Sequence, residues 1–203
     1  MIIRTIVLIN FFVFLAWSLS TSQGFFPFMM KHFTVSWLGL RDGEYWTLLT
    51  SVFSHSAFLH LFINMYVLYG FGIALRTLMG RTQFLLFYLL AGVTGSFMHA
   101  VLSLLYTNSP AQPALGASGA IAGIILYFSL SFPREKLLLL GFIPISARWA
   151  AILLVFLDLW GLSAQSQGGG LPIGHGAHLG GAVIGVVYFL FNRPPRNLTE
   201  DRG

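Results

Sequence analysis

The chain has 203 residues, of which 56% are hydrophobic and only 8% are charged. Soluble domains carry about a quarter charged residues, so this composition excludes an ordinary soluble domain and favours a polytopic membrane protein. The formal net charge is +5, but the basic residues stand singly between apolar runs, and membrane topology explains them better than a nucleic-acid partner does. No cysteine is present, which excludes disulfides, thiolate metal sites and cysteine nucleophiles.

The order of apolar segments predicts an all-α polytopic bundle of six transmembrane helices. Helices are expected because a lipid-exposed backbone must satisfy its own hydrogen bonds. Residues 1–203 are predicted to form one membrane domain that ends in a short cytoplasmic tail, 192–203. The predicted spans, each close to the length that crosses a bilayer, are Ile3–Ser20, Ala57–Leu75, Phe84–Tyr106, Leu115–Phe132, Ala147–Leu162 and His175–Phe191.

The first span has a second interpretation. Arg4, an apolar stretch and then Ser18-Leu19-Ser20 also resemble a secretory signal peptide, although Trp17 fits a cleavage region poorly. We favour retention of this span. The loop that follows has about 35 residues, which is too long for a mere connector. Its apolar run Phe25–Met30 is predicted to lie in the outer membrane interface.

The positions of the basic residues predict the orientation. Two of them, Lys31 and Arg41, fall in the long first loop. The others fall on the side of the termini: Arg4, Arg76, Arg81, Arg134, Lys136, Arg148, Arg193, Arg196 and Arg202. By the positive-inside rule both termini are cytoplasmic.

Four polar side chains are predicted to lie at one depth in the membrane. Spans two, four and six all enter from the outer side, and Ser118 and His178 are expected a few residues inside the fourth and sixth. His60 and Asn64 occupy the first turns of the second span, on one helical face. At 1.5 Å per residue, all four lie roughly 5–10 Å below the outer surface. They therefore indicate a single site.

Glycine pairs give a reason for spans four and six to meet. In lipid, close helix approach comes from small side chains, and Gly119 and Gly123 form one such pair while Gly181 and Gly185 form another. His178 shares the face of the second pair. Contact between these faces predicts that the Ser118 hydroxyl and the His178 imidazole come within reach of each other.

This arrangement predicts a serine nucleophile with a histidine base. His60 and Asn64 can offer hydrogen-bond donors to a developing oxyanion. Spans two, four and six carry no carboxylate at this depth, so the sequence favours a serine–histidine dyad over a triad. A zinc site is disfavoured because no His-Glu-x-x-His motif occurs, and an aspartyl protease is disfavoured because Asp158 is the one acid in the later spans.

At these residues the chain resembles the rhomboid intramembrane serine proteases, over nearly its whole length. The matching motifs are His60-Leu61-Phe62-Ile63-Asn64, Gly116-Ala117-Ser118-Gly119 and Ala177-His178-Leu179-Gly180-Gly181 followed by Gly185. The resemblance implies cleavage of other transmembrane proteins through an acyl-enzyme on Ser118, with His178 as base and no cofactor or metal. His60, Asn64 and the Ser118 backbone N–H would hold the oxyanion.

The resemblance also implies a mobile part and a location. The fifth span would act as a lateral gate, and residues Ser163–Gly174 would form a cap over a cavity open to the outer side. The short chain looks bacterial, which implies the cytoplasmic membrane. The partners expected are transmembrane substrates and the lipid bilayer; the oligomeric state and the substrate are left open.

Two positions depart from the family's pattern. Family members often carry Trp-Arg in the first loop, whereas this chain has Trp46-Thr47, and many place an aromatic residue where Ala122 stands, under the catalytic histidine. The way in which the His178 imidazole is held is therefore left open. His99, His175 and Asp158 are assigned no role, although His175 is a rival base. The alternative function is a non-catalytic scaffold that binds membrane proteins, or a small transporter.

Overall fold

A computed structural model describes residues 1–20, 24–139 and 142–194. Arg196 and Arg202 of the predicted tail, with the rest of 195–203, lie outside the described residues. The helices are α1 (Ile2–Leu19), α2 (Phe25–Phe33), α3 (Trp37–Arg41), α4 (Thr47–Thr50), α5 (Phe58–Leu105), α6 (Ser118–Ser131), α7 (Ala147–Ser166) and α8 (His175–Phe191). A short 3-10 helix, Ser51–Phe53, precedes α5, and two strands, β1 (Lys136–Leu139) and β2 (Ile143–Ser146), lie between α6 and α7.

The 48 residues of α5 form a helical hairpin rather than one rod. A straight helix of that length would measure about 72 Å, more than twice the hydrocarbon thickness of a bilayer. Gly80 interrupts it with φ 79° and ψ 174°, a conformation that glycine adopts without a Cβ penalty. The two halves pack together, since a Cβ at Gly72 would lie 3.2 Å from the Phe84 ring. Predicted spans two and three are thus joined by a single non-helical residue.

The fold class is confirmed as a polytopic helical bundle. Within the described residues, α1, α5 and α7 are long and apolar enough to cross a membrane, while α6 and α8 are apolar but shorter, at 14 and 17 residues. The count of six spans therefore stays a prediction.

Several span boundaries differ from the prediction, and two of them bear on the site. The fourth helix begins at Ser118 rather than Leu115, because Gly116 has φ 127° and keeps the chain out of a helix there. The fifth continues to Ser166 rather than Leu162, since no glycine or proline occurs between Leu162 and Gly168. The β1–β2 hairpin, with Lys136 opposite Ser146, was not predicted.

The core lies between α1, the two halves of α5, α6 and α8. Its fully buried side chains include Phe84, Phe87 and Tyr88 of α5 and Ile124 of α6. The N-terminal helix belongs to this core through Ile3 and Ile6, and the Trp17 indole N–H donates to Ser54 Oγ at 2.7 Å. Antiparallel bridging of Val35 with Ala114 ties the first loop to the segment that leads into α6.

Candidate active site

One cavity of about 580 Å³ brings together the four side chains that the sequence assigned to one site. Ser118, His178, His60 and Asn64 all line it, at the beginnings of α6, α8 and α5. All three helices begin at this cavity, so polar side chains in their first turns face one another across it.

Ser118 is the first residue of α6 and not a few residues inside it, as the sequence predicted. Its backbone N–H is therefore among those at a helix start that lack an intrahelical acceptor. The preceding loop is fixed by the Gly116 N–H, which donates to the Ser51 carbonyl at 2.9 Å. Gly116 also leaves space for His60, since a Cβ there would lie 2.7 Å from His60 Cε1.

His55, in the loop before α5, supports the segment that leads into α6. It is fully buried, and its Nε2 accepts a hydrogen bond from the Ala117 N–H at 3.4 Å. Burial, and secondly the neighbouring His60, lower the pKa of His55 to about 3. The neutral imidazole can therefore accept this hydrogen bond at any physiological pH. In the sequence, the feature that could have indicated a role for His55 near the site is its position five residues before His60.

The glycines of α6 and α8 bring the two backbones into direct contact. A Cβ at Gly181 would overlap the Gly119 carbonyl, and a Cβ at Gly185 would lie 2.5 Å from the Gly123 carbonyl oxygen. A Cβ at Gly119 would lie 3.1 Å from the carbonyl oxygen of Ala177, the residue before His178. Gly119 and Ala177, which meet in this contact, are the chain neighbours of Ser118 and His178.

Asp158 of α7 is the partner of the His178 imidazole. The His178 Nδ1–H donates to Asp158 Oδ1 at 2.9 Å, and the carboxylate is 5% exposed. This bond places the proton on Nδ1 and leaves the Nε2 lone pair available to accept another proton. The sequence predicted no carboxylate partner for His178, because spans two, four and six carry none at this depth and Asp158 lies on the fifth.

His175, the rival base, shares the same oxygen. Its Nδ1–H donates to Asp158 Oδ1 at 2.8 Å, and its ring occupies the space beside Gly161, where a Cβ would overlap the imidazole. His175 does not line the cavity that holds Ser118. Its contacts are those of a group that fixes Asp158 between α7 and α8.

The potential metal-ligand atoms of Asp158, His175 and His178 lie within 4.8 Å of one another. They are the one candidate metal-binding group in the described part of the chain. Hydrogen bonds already join each of these residues to another member of the group. We therefore interpret the group as a hydrogen-bonded cluster. The expectation that the site holds no metal stays a prediction.

Asn64 and His99, which also line the cavity, have hydrogen-bond partners. Asn64 Nδ2 donates one proton to the His60 carbonyl at 2.9 Å, which leaves its second N–H for the cavity. His99 Nε2 lies 3.2 Å from the Gln112 carbonyl oxygen, so its ring is held at the cavity wall.

The segment after α7 covers the cavity and is held in place. Pro172, Ile173 and Gly174 line the cavity, and the Gln165 side-chain amide donates to the Leu171 and Ile173 carbonyls at 2.7 and 2.8 Å. The predicted cap thus begins later than Ser163, because α7 continues to Ser166.

No hydrogen bond joins the Ser118 hydroxyl to the His178 imidazole among the described residues. Catalytic hydrogen bonds are often long in an empty site and shorten when substrate binds. The arrangement offers a hydroxyl, an oriented imidazole and convergent N–H donors around one cavity. These are the groups that acyl transfer requires.

Comparison with known proteins decides the family, since residues 42–194 match the description "Rhomboid domain". The chain belongs to the rhomboid family. The match contains Ser118, His178, His60 and Asn64.

Several mitochondrial rhomboid proteins are similar to this chain. It is 35% identical to presenilin-associated rhomboid-like protein A of Danio rerio, over 90% of this chain and 45% of that protein. It is 34% identical to rhomboid protein 1 of Saccharomyces cerevisiae, over 70% of this chain and 40% of the relative. RHOMBOID-like protein 12 of Arabidopsis thaliana is 33% identical, over 92% of this chain and 56% of its own length. The chain thus spans about half the length of these relatives.

Family membership establishes an integral multi-pass membrane protein. All three relatives carry "mitochondrial" in their names, so the bacterial cytoplasmic membrane and the orientation stay predictions. At the position where rhomboids often have arginine, Thr47 is buried and its hydroxyl donates to the Glu44 carbonyl at 2.6 Å. Ala122 is also buried, and the support for His178 comes instead from Asp158.

Proposed function

We propose that this rhomboid protein is an intramembrane serine endopeptidase that cleaves transmembrane segments of other membrane proteins. The observation that carries the proposal is the His178 imidazole, oriented by Asp158 Oδ1 at 2.9 Å and lining the same cavity as Ser118. A scaffold that only binds membrane proteins has no need of an imidazole held with one nitrogen free.

In the proposed reaction Ser118 Oγ attacks the peptide carbonyl carbon while His178 Nε2 accepts the hydroxyl proton. The carbonyl oxygen becomes an oxyanion, which the Ser118 N–H, the Asn64 amide and His60 stabilise. The tetrahedral intermediate expels the amine, which takes the proton from His178. Water then attacks the acyl carbon and gives a proton to His178. The acyl–Oγ bond breaks, Ser118 Oγ takes that proton back from His178, and the new carboxyl terminus of the substrate leaves.

Asp158 extends the predicted dyad in this proposal. It accepts the Nδ1–H of His178 throughout, and it stabilises the imidazolium that forms when Nε2 takes the proton. The carboxylate itself need not change protonation. The termini are proposed to be cytoplasmic and the cavity to open to the outer side, with α7 and the segment after it as the route for substrate.

Labelling with a fluorophosphonate probe in liposomes tests the nucleophile. We expect the wild type to be labelled and Ser118→Ala and His178→Ala to lose labelling and cleavage while they keep their thermal stability. Ser56→Ala is the matched control, because this serine lines the same cavity but does not begin a helix. A folded wild type that neither fluorophosphonate nor a smaller isocoumarin labels would favour the non-catalytic alternative.

A further inference from the structure

A second cavity lies at the end of the bundle opposite Ser118. Its volume is about 520 Å³, and it is formed where α6 ends, α7 begins and α8 ends. Ser118 begins α6, and the cavity begins at Leu130, near the other end of that helix. At 1.5 Å per residue the two sites are about 18 Å apart along α6, so this cavity is separate from the proposed active site.

Backbone hydrogen bonds fix one wall of this cavity. The Ala147 N–H donates to the Glu135 carbonyl at 2.8 Å, and the Arg148 N–H donates to the Pro133 carbonyl at 3.2 Å. The start of α7 is thereby tied to the turn that follows α6. These bonds occupy the first two N–H groups of α7.

The end of α8 is fixed to α6 in the same region. The Tyr127 hydroxyl donates to the Asn192 carbonyl at 3.0 Å, and the Arg193 guanidinium lies 5.5 Å from the centroid of the Phe189 ring. The cavity is therefore already formed, because each of the three elements that line it is held by a neighbour.

The charges that line the cavity favour an anion. Arg134, Arg148 and Arg193 all line it, together with one carboxylate, Glu135. The ion pairs formed by Asp42, Glu44 and Asp158 involve residues other than these three arginines. A guanidinium group can bind a phosphate through two parallel hydrogen bonds, one to each of two phosphate oxygens.

Most of the remaining lining is apolar, with Ser131 as its one polar side chain. Leu130, Phe132 and Phe189 line the same cavity as the arginines. A free phosphate ion would leave these side chains without a partner. A phospholipid presents a phosphate next to its glycerol and acyl chains, and the ends of apolar helices are where lipid headgroups lie.

We propose that this cavity binds the phosphate headgroup of an anionic phospholipid, with the guanidiniums on the phosphate and the apolar side chains beside the first part of an acyl chain. Three arginines against one glutamate favour a lipid with net negative charge over a zwitterionic one. The proposal concerns lipid binding alone, so it does not depend on the proposed protease activity.

Native mass spectrometry of the detergent-solubilised full chain tests it, with phosphatidylglycerol and phosphatidylcholine as probes. The variant Arg148→Gln with Arg193→Gln should bind phosphatidylglycerol about 30-fold more weakly, taking roughly fivefold for each basic residue near an anionic headgroup. The matched control is Arg76→Gln with Arg81→Gln, which removes two arginines that do not line the cavity. The control should retain the lipid.

Each outcome has a meaning for the proposal. Equal loss in both double variants, or equal retention of the two lipids by the wild type, would show only general attraction to basic residues and would overturn the proposal. Displacement of phosphatidylglycerol by millimolar inorganic phosphate would assign the site to the free ion instead. If the double variant has a lowered melting temperature, the single variant Arg193→Gln, which changes an exposed side chain after α8, gives the same comparison.

Discussion

Replacing Asp158 with asparagine tests whether the carboxylate orients the proposed base. In the structure Oδ1 accepts two N–H bonds, from His178 at 2.9 Å and from His175 at 2.8 Å. An asparagine has the same shape but no charge, and it presents either a carbonyl oxygen or an NH₂ group to the two histidines. If the NH₂ group faces His178, the imidazole proton moves to Nε2, and that nitrogen can no longer accept the Ser118 proton.

The magnitude follows from the one bond that His178 loses. A hydrogen bond to a charged group contributes about 1.5–3 kcal/mol, and each ~1.4 kcal/mol corresponds to tenfold in rate. We therefore expect kcat of Asp158→Asn to fall by roughly 10–150-fold. KM should change little, because Asp158 lies behind the imidazole and does not line the cavity.

Cleavage of a fluorescent transmembrane substrate in liposomes, with kcat and KM measured separately, provides the assay. The matched control is His175→Asn, whose side-chain NH₂ can take the place of the imidazole Nδ1–H on Asp158 and so keeps the carboxylate in position. That variant should retain kcat within about threefold. A folded Asp158→Asn enzyme with the kcat of the wild type would refute the reasoning, and a rise in KM alone would make Asp158 a substrate-binding residue instead.

Three further results are expected. Asn64→Ala should lower kcat by roughly 10–1000-fold, the loss for one oxyanion donor, and an unchanged rate would remove Asn64 from the site. Gly181→Ala should lower the free energy of unfolding by ~1–3 kcal/mol, because its Cβ meets the Gly119 carbonyl; Gly70→Ala, whose Cβ meets nothing within 4 Å, should not. Since the pKa of His55 is about 3 when folded and 6.5 when unfolded, the unfolded state binds the proton first and stability falls as pH drops below 6.5. Lowering the pH from 7.5 to 5 should therefore lower the melting temperature of the wild type more than that of His55→Gln. Equal shifts in the two proteins would contradict this assignment.

Much of the candidate site could be predicted from the sequence because the membrane limits the possible structures. Spans must be helices of similar length, so the position of a residue in a span gives its depth. That argument placed Ser118, His178, His60 and Asn64 at one level, and they line one cavity. Glycines spaced by four residues on α6 and α8 predicted the contact between these helices, since lipid offers no other strong reason for close approach.

The rest depended on information that depth and spacing do not contain. Asp158 lies on a helix that runs in the opposite direction, and only the packing of α7 on α8 shows that it reaches His178. His55 lies in a loop, where no helical period predicts the direction of a side chain. The start of α6 at Ser118 follows from the positive φ of Gly116, which apolar composition does not reveal.

The polar group around Asp158 also bears on function. Removing a charged carboxylate from water is unfavourable by several kcal/mol, and a well-packed apolar contact would stabilise two helices at least as well. The α6–α8 contact illustrates this, because glycines alone bring those backbones together. Asp158 is nevertheless buried, and its two imidazole partners account for its hydrogen bonds. Of the two, His178 lines the cavity that holds Ser118, and a serine protease needs to hold such an imidazole in one orientation. Ionisable groups inside a membrane are by default functional hypotheses, so the burial of Asp158 supports the catalytic role that we propose for this group.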